Sequence, residues 1–419
     1  MSIVQQPTLF DLQILEQLDI EEKYLAIFSP LVLSSLVFLF QKDTSVGAPI
    51  TVNYEAAVRA LLVRYLEGIP TVAALVSRIK QDVRFKLSLG FLYSERTPSE
   101  ITFSRILQSL ERNSHLLEEQ NNTLLKHIDR EFTIFSEAVS LDATAVEGHT
   151  KPAEKLKAQV SSCADQRVMT TEEMKAQLPI SPQWGIKANS QGKNNYWFGY
   201  KAHLAVTSES QYILSAILTS ANISDVSVGI PLMRELSILG IKNTLVIFDK
   251  GYDAKGIYQE AHALHFEPII PLKRIAKNDG EWTKEYAPTC FLEYGYNYDS
   301  FDTRYNALKF TRPLDECQSC ALFRENLCQK VIKIKQHNDP RKFNHPARGT
   351  KSWKKFYAKR SAVERVNGYL KEHMNLNDTT YYKAGAVKVE LLLIQLAYNA
   401  KNYAAQRLTQ INLRKEIVA

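Results

Sequence analysis

A chain of 419 residues is too long for one small core and accommodates two or three domains. Its 45% hydrophobic and 23% charged content is ordinary for a folded protein and excludes wholesale disorder. The net charge of +7 is unevenly held: Lys330 to Lys371 contains 13 Lys/Arg against Asp339 and Glu364, a local +11 that leaves −4 for the remainder. Such a stretch either attracts a polyanion, through charge and counterion release, or is a solvated basic surface.

Met1–Gln13 lacks a basic region followed by an apolar one, so no secretory signal is expected. Tyr24–Phe40 runs 17 residues without a charge. It is short for a bilayer and contains Pro30, so a buried or dimer-interface helix is expected. Five cysteines without a secretory signal argue for a reducing interior, hence a cytoplasmic location.

Residues 1 to about 130 read as mostly helical, with periodic apolar positions in Tyr54–Leu66, Val72–Ile79 and Ile101–Leu110. Thr97 is the expected cap of the last, with Pro98 at its first position and Glu100 completing a capping box. A helix-turn-helix ending in Pro98–Arg112 and a plain helical bundle both fit. The texture then changes to short β-rich runs: Ala138–Thr144, Tyr200–Thr207, Tyr212–Thr219, Thr244–Phe248 and Pro268–Pro271. Two flank Ser208–Gln211 as a hairpin, and the helical segments Val226–Leu239 and Lys255–Leu264 separate the later ones. This order fits a mixed α/β sheet covered by helices. Residues 272 to about 350 break the rhythm with aromatic, charged and turn residues, and read as an insertion. Helical sequence returns from about Trp353 to Met374 and from Ala386 to Gln406.

Asp142 follows the apolar Val139 and Leu141, and Asp249 follows Leu245-Val-Ile-Phe, so each is expected at the end of a buried strand. An acid there must pair, hold a metal or reach solvent, because an unpaired buried charge is costly. Either alone is equally a strand-end turn residue. On a helical wheel from Tyr357, Arg360, Glu364 and Lys371 fall within about 60° on one face, with Val363, Val366 and Leu370 opposite. Arg360 with Glu364 is also an ordinary i,i+4 surface pair. Taken together, the three acids suit phosphodiester chemistry, in which carboxylates hold two divalent ions about 3.5–4 Å apart. Arg360 and Lys371 would then meet phosphates, Arg as a fork and Lys as a point charge.

At these residues the sequence resembles the DDE transposases of bacterial insertion sequences. Tyr357, Arg360, Glu364 and Lys371 match every interval of the family's Tyr-Arg-Glu-Lys helix motif. Asp249-Lys-Gly-Tyr-Asp253, Gly199-Tyr-Lys-Ala-His203, Asn222-Ile-Ser-Asp225 and Pro98–Ser104 are similar to family patterns. The resemblance covers about residues 50 to 405. It implies an α/β fold: an RNase H-like mixed sheet with flanking helices, interrupted by an insertion and preceded by an all-helical N-terminal domain. The units expected are a helical domain (1–130) for DNA-end binding or dimerisation, the first part of the catalytic domain (131–271), a Cys-containing basic insertion (272–350), and C-terminal helices completing the catalytic domain (351–419). It also implies Asp142, Asp249 and Glu364 as catalytic acids binding Mg2+, or Mn2+ in its place. Tyr357, Arg360 and Lys371 are implied as contacts to the DNA end. Expected partners are the terminal inverted repeats and target DNA, engaged by a homodimer.

Cys317-Gln-Ser-Cys320 with Cys290 and Cys328 places four thiols in the insertion, open to structural Zn2+ or to buried reduced thiols. Cys163 stands apart. His149 and His203 are expected to be structural. Trp282 and Trp353 suit core packing, or stacking on an unpaired base. No Gly-rich phosphate loop is present, so no ATP requirement is expected. Two alternatives remain: another RNase H-like nuclease, and a non-catalytic zinc-bearing DNA-binding protein derived from a transposase. A glycosidase would leave the basic segment unexplained.

Overall fold

The computed structural model describes residues 19–41, 52–150, 160–188, 192–273, 281–318, 320–324 and 328–418; the signal-peptide reading of Met1–Gln13 lies outside them. The apolar stretch Tyr24–Phe40 is not one helix. It divides into α1 (Ile20–Phe28) and a short helix Ser34–Phe38, because Pro30 has no N–H and disfavours helical backbone before it. Tyr24, Ile27, Leu33 and Leu36 are buried by this break, and Tyr24 meets the Phe85 ring edge-on at 6.3 Å. No helix among the described residues is long and apolar enough to cross a membrane.

Helices α2 (Tyr54–Leu66), α3 (Val72–Gln81), α4 (Glu100–Arg112) and α5 (Ser114–Phe132) follow, close to the periodic segments expected. Asn53 and Thr71 cap the first two by accepting the N–H of Ala56 and Ala74 at 3.1 Å. The cap of α4 is Ser99, which accepts from Thr102 N at 3.3 Å, and not Thr97. The ladder therefore starts two residues later than expected, with Glu100 as its first member.

The central sheet holds β1 (Val139–Glu147), β2 (Gln183–Ala188), β3 (Asn194–Thr207), β4 (Ile213–Ser220), β5 (Leu245–Phe248) and β6 (Glu267–Ile269). Strands β4, β3 and β1 pair antiparallel in that order, and β5 then β6 add parallel to β1. This is the RNase H-like arrangement, with α6 (Val226–Leu239) leading into β5 and α7 (Lys255–Ala263) into β6. β2 and the first half of β3 form a hairpin extension that the sequence reading missed. Gly185 and the polar Asn194-Asn195 hid it, since both weaken a strand pattern.

The insertion folds as a three-stranded antiparallel sheet of β7 (Asn297–Asp302), β8 (Ala307–Thr311) and β9 (Val331–Lys335). It packs its own small core of Tyr286, Tyr296, Leu308, Phe310, Ile334 and Phe343. After it come α8 (Lys351–Ala358), α9 (Ser361–His373) on β1 and β3, and the long α10 (Ala384–Val418). α10 joins the N-terminal helices to the sheet through buried polar contacts. Asn399 accepts from Ile213 N and donates to Ile213 O at 2.9 Å, and Asn121 donates to Leu392 O at 3.2 Å. Asn399 thereby pairs with both backbone groups of Ile213 at the start of β4.

Candidate active site

The parallel pairing of β1 with β5 sets Leu141 beside Phe248, so Asp142 and Asp249, each the next residue, emerge side by side. Asp249 directly follows β5, as expected. Asp142 does not end its strand: β1 runs on to Glu147 because β3 continues to pair with it as far as Gly199. What ends is its other neighbour. β5 stops at Phe248 and leaves that flank of β1 open beside Asp142. Asp249 folds onto the next turn by accepting the Gly251 N–H, and any side chain at Gly251 would meet the Asp249 carboxylate within 2.6 Å.

Burial pushes the Asp142 carboxyl up to about 6. The Lys187 ammonium and the Ala143 N–H oppose this, the Asp249 charge adds to it, and Arg360 opposes. Asp142 and Asp249 are thus two hard oxygen donors on one spot with too little positive charge of their own. That donor set fits a divalent cation.

The helix motif is broken. Tyr357 belongs to α8, Lys359 and Arg360 form a turn, and Glu364 and Lys371 belong to α9, so the single helix read from the sequence is two. The turn is held on β1 by Ser140 Oγ, which donates to Lys359 O at 3.2 Å, and on the β3–β4 turn by a Lys359–Glu209 ion pair. The expected faces nevertheless survive. Val363, Val366 and Leu370 are fully buried, while Arg360 Nη2 meets Glu364 Oε1 at 2.7 Å and its guanidinium lies 5.8 Å from the Tyr357 ring. Tyr357 stacks on Trp353 at 5.2 Å, and burial raises its phenol, with the charges of Asp249 and Glu364 adding and Arg360 opposing. The structure therefore brings Asp142, Asp249, Tyr357, Arg360 and Glu364 into one electrostatic neighbourhood. Glu364 is 51% exposed and tied to Arg360. No group of three or more Asp, Glu, His or Cys among the described residues stands in position to hold a metal. Lys371 lies further along α9, its ammonium pulled down by burial and by Lys187. Lys187 was missed by sequence reading, since nothing in a lone lysine before Ala188 marks it.

The basic segment is only partly a surface. Arg341 forks onto Asp253 at 2.9 and 2.8 Å, and Arg348 donates to Ile270 O and the Tyr258 hydroxyl at 2.7 and 2.9 Å. Lys333 and Lys342 pair with Asp302 and Asp339. Lys330, Lys335, Lys351, Lys354 and Lys355 remain exposed. Trp353 and Trp282 pack on Tyr357 and Phe343, which takes up the rings considered for base stacking. His203 is wholly buried on Thr219 Oγ1 at 2.9 Å and is driven down to about 4 by burial, a structural histidine as expected. His149 meets Tyr382 edge-on. A polar cavity of about 480 Å³ lined by Glu137, Glu209, Glu267 and Lys359 lies at the N-terminal end of β1.

Cys290, Cys317, Cys320 and Cys328 line one small apolar cavity of about 20 Å³ with Tyr296 and Arg312. All are reduced, and Arg312 Nη1 donates to Cys328 Sγ at 3.1 Å. Burial raises the Cys317 thiol, and the neighbouring Cys328, Cys290 and Cys320 add to the rise. Cys163 stands apart, beside Val226.

A mixed sheet with carboxylates side by side at two neighbouring strands and a late acid-bearing helix across it defines the α/β class of the protein. Residues 134–400 match the family model described as the transposase DDE domain, and residues 13–109 match the transposase domain (DUF772). The chain belongs to the DDE transposase family of insertion-sequence type. That family generally uses a divalent metal. No curated protein matches the chain. Among solved structures, the chain is similar to a piggyBac transposase synaptic complex with hairpin DNA, determined by cryo-electron microscopy. The identity is 12% and the TM-score 0.35, over 99% of this chain and 82% of that one.

Proposed function

We propose that the protein is an active transposase that cuts DNA at the ends of an insertion sequence and joins them to target DNA. The observation that carries this reading is the emergence of Asp142 and Asp249 side by side from adjacent parallel strands, with Arg360 acting on Asp142 and paired to Glu364. In it Asp142, Asp249 and Glu364 hold Mg2+, or Mn2+ in its place. Bound there, the cation supplies charge neutralisation at the phosphodiester and a more acidic attacking oxygen. Glu364 joins the set by releasing Arg360, which is thereby freed to fork onto a phosphate. Tyr357 positions that strand, and Lys371 contacts the DNA end. The helical segment 1–130 binds DNA ends or dimerises, and the protein works as a homodimer on terminal inverted repeats in the cytoplasm, at the nucleoid.

The test is cleavage and joining of the DNA that flanks this gene, with Mg2+, comparing wild type with Glu364→Gln. Wild type is expected to nick and join, and the variant to bind without cutting. Retained transposition in the variant would remove Glu364 from the set.

The four cysteines of the insertion line one cavity without standing in position to hold a metal; they are proposed to close on one structural Zn2+ when it binds, four thiolates being one of its usual donor sets. Elemental analysis of freshly purified, reduced protein is expected to find one zinc per chain. Finding none would leave the cysteines as packing residues.

A further inference from the structure

The turn between α8 and α9 is tied to the sheet at one carbonyl. Ser140 Oγ donates to Lys359 O at 3.2 Å, and the Ser140 and Ser208 hydroxyls lie 2.8 Å apart. A serine hydroxyl has a single proton. Ser140 gives its proton to Lys359 O, so Ser208 is the donor in the second bond. The chain thus runs in one direction, from Ser208 through Ser140 to Lys359. Both serines are buried, Ser140 completely. Lys359 O also takes the Ala362 N–H at 3.0 Å, so the carbonyl is not left unpaired without Ser140.

The support beneath this chain is fixed in turn. Glu137 Oε2 accepts the Glu209 and Ser210 N–H groups at 2.9 Å each, and the Ser208 N–H donates to Ala138 O at 2.8 Å. These bonds fasten the β3–β4 turn to the start of β1. From the same turn Glu209 reaches the Lys359 ammonium. Lys359 is therefore gripped at its carbonyl and at its side chain by one corner of the sheet. Alternation along a strand puts Ser140 and Asp142 on the same face of β1, about 7 Å apart. The residue after Lys359 is Arg360, whose Nη2 meets Glu364 Oε1 at 2.7 Å. The strand that carries Asp142 thus also sets, two residues away, where the backbone of Arg360 stands.

We propose that Ser140 and Ser208 are positioning residues for Arg360. They hold the Lys359 carbonyl so that the guanidinium can leave Glu364 for a DNA phosphate while its backbone stays in register with Asp142. This rests on the DNA-cleaving reading above. A fork that must meet two phosphate oxygens at once tolerates little movement of its base, and a misplacement of about 1 Å lowers rates by up to about a hundredfold. The Lys359–Glu209 pair is partly in water and too weak to keep that register alone.

The test is a full-length protein carrying Ser140→Ala and Ser208→Ala. Removing both hydroxyls together strands neither, so the melting temperature is expected to hold. Amide exchange should quicken at Lys359–Ala362 and stay as in wild type along α10. Turnover of a DNA end with Mg2+ should fall roughly tenfold, and metal-free binding of the same DNA should weaken roughly threefold. In an Arg360→Ala background the same two substitutions should change neither. A loss of equal size with and without Arg360 would overturn the proposal, because serines that serve only the fold act whether or not Arg360 is there. Unchanged exchange at the turn would overturn it too. Ser140→Cys keeps the size with a far weaker donor, and is held to the same outcomes if the alanines unfold the protein. Wild-type cleavage is scored separately. Should wild type bind DNA without cutting, the catalytic reading falls, and the binding comparison with and without Arg360 decides the positioning role by itself.

Discussion

An Asp249→Asn protein is expected to lose metal-dependent DNA cleavage by roughly 10³-fold or more, the equivalent of about 4 kcal/mol of barrier. Asparagine keeps the size of the side chain and the acceptor that receives the Gly251 N–H, so the turn after β5 should stay folded. What it removes is one of two adjacent anionic donors, leaving Asp142 as a lone carboxylate in a half-buried site. Melting temperature and DNA affinity should therefore stay near wild type while nicking disappears. Substantial residual nicking would mean that the two strand-borne acids do not act as a pair. Loss of binding along with cutting would point instead to a role for the loop in holding DNA.

The second large effect concerns stability and lies four residues on. Asp253 is completely buried and accepts the Arg341 fork at 2.9 and 2.8 Å and the Lys273 N–H at 2.8 Å. Through it the loop carrying Asp249 is bound to the segment that follows the inserted sheet. Replacing Asp253 by Ala leaves the Arg341 guanidinium and the Lys273 N–H without this partner. Breaking such a pair costs about 3–5 kcal/mol, and about 3 is expected because Arg341 is partly open to water. Urea unfolding measures it. Adding Arg341→Met should recover much of the loss, since an apolar pair leaves no stranded charge.

The pH dependence of this pair has a definite sign. Burial works against the Asp253 carboxylate, but Arg341 and the Lys273 N–H hold its pKa below the ordinary value. The stabilisation is therefore fully present above the unfolded pKa, near 3.9, and fades as pH falls through the lower folded value. The gap between wild type and Asp253→Asn should be flat from pH 5 to 8 and close only in stronger acid. A gap that closes between pH 6 and 8 would assign the effect to another group.

The sequence by itself determined most strands of the central sheet, in chain order, and singled out the candidate acids. Apolar runs such as Leu245–Phe248 and periodic segments such as Val226–Leu239 register in local pattern, because burial selects residues one by one along the chain. Tyr357, Arg360, Glu364 and Lys371 were legible for the same reason, as a spacing. Tertiary structure alone decided how that spacing is used. The break at Lys359–Arg360 depends on Ser140 and Glu209, each about 150 residues or more away in the chain. The basic segment read as a polyanion surface, and only the fold shows Arg341 and Arg348 spent on Asp253, Ile270 and Tyr258. Lys187 was silent in the sequence. A projecting hairpin takes its meaning from what lies across space from it, and a one-dimensional pattern does not record that distance.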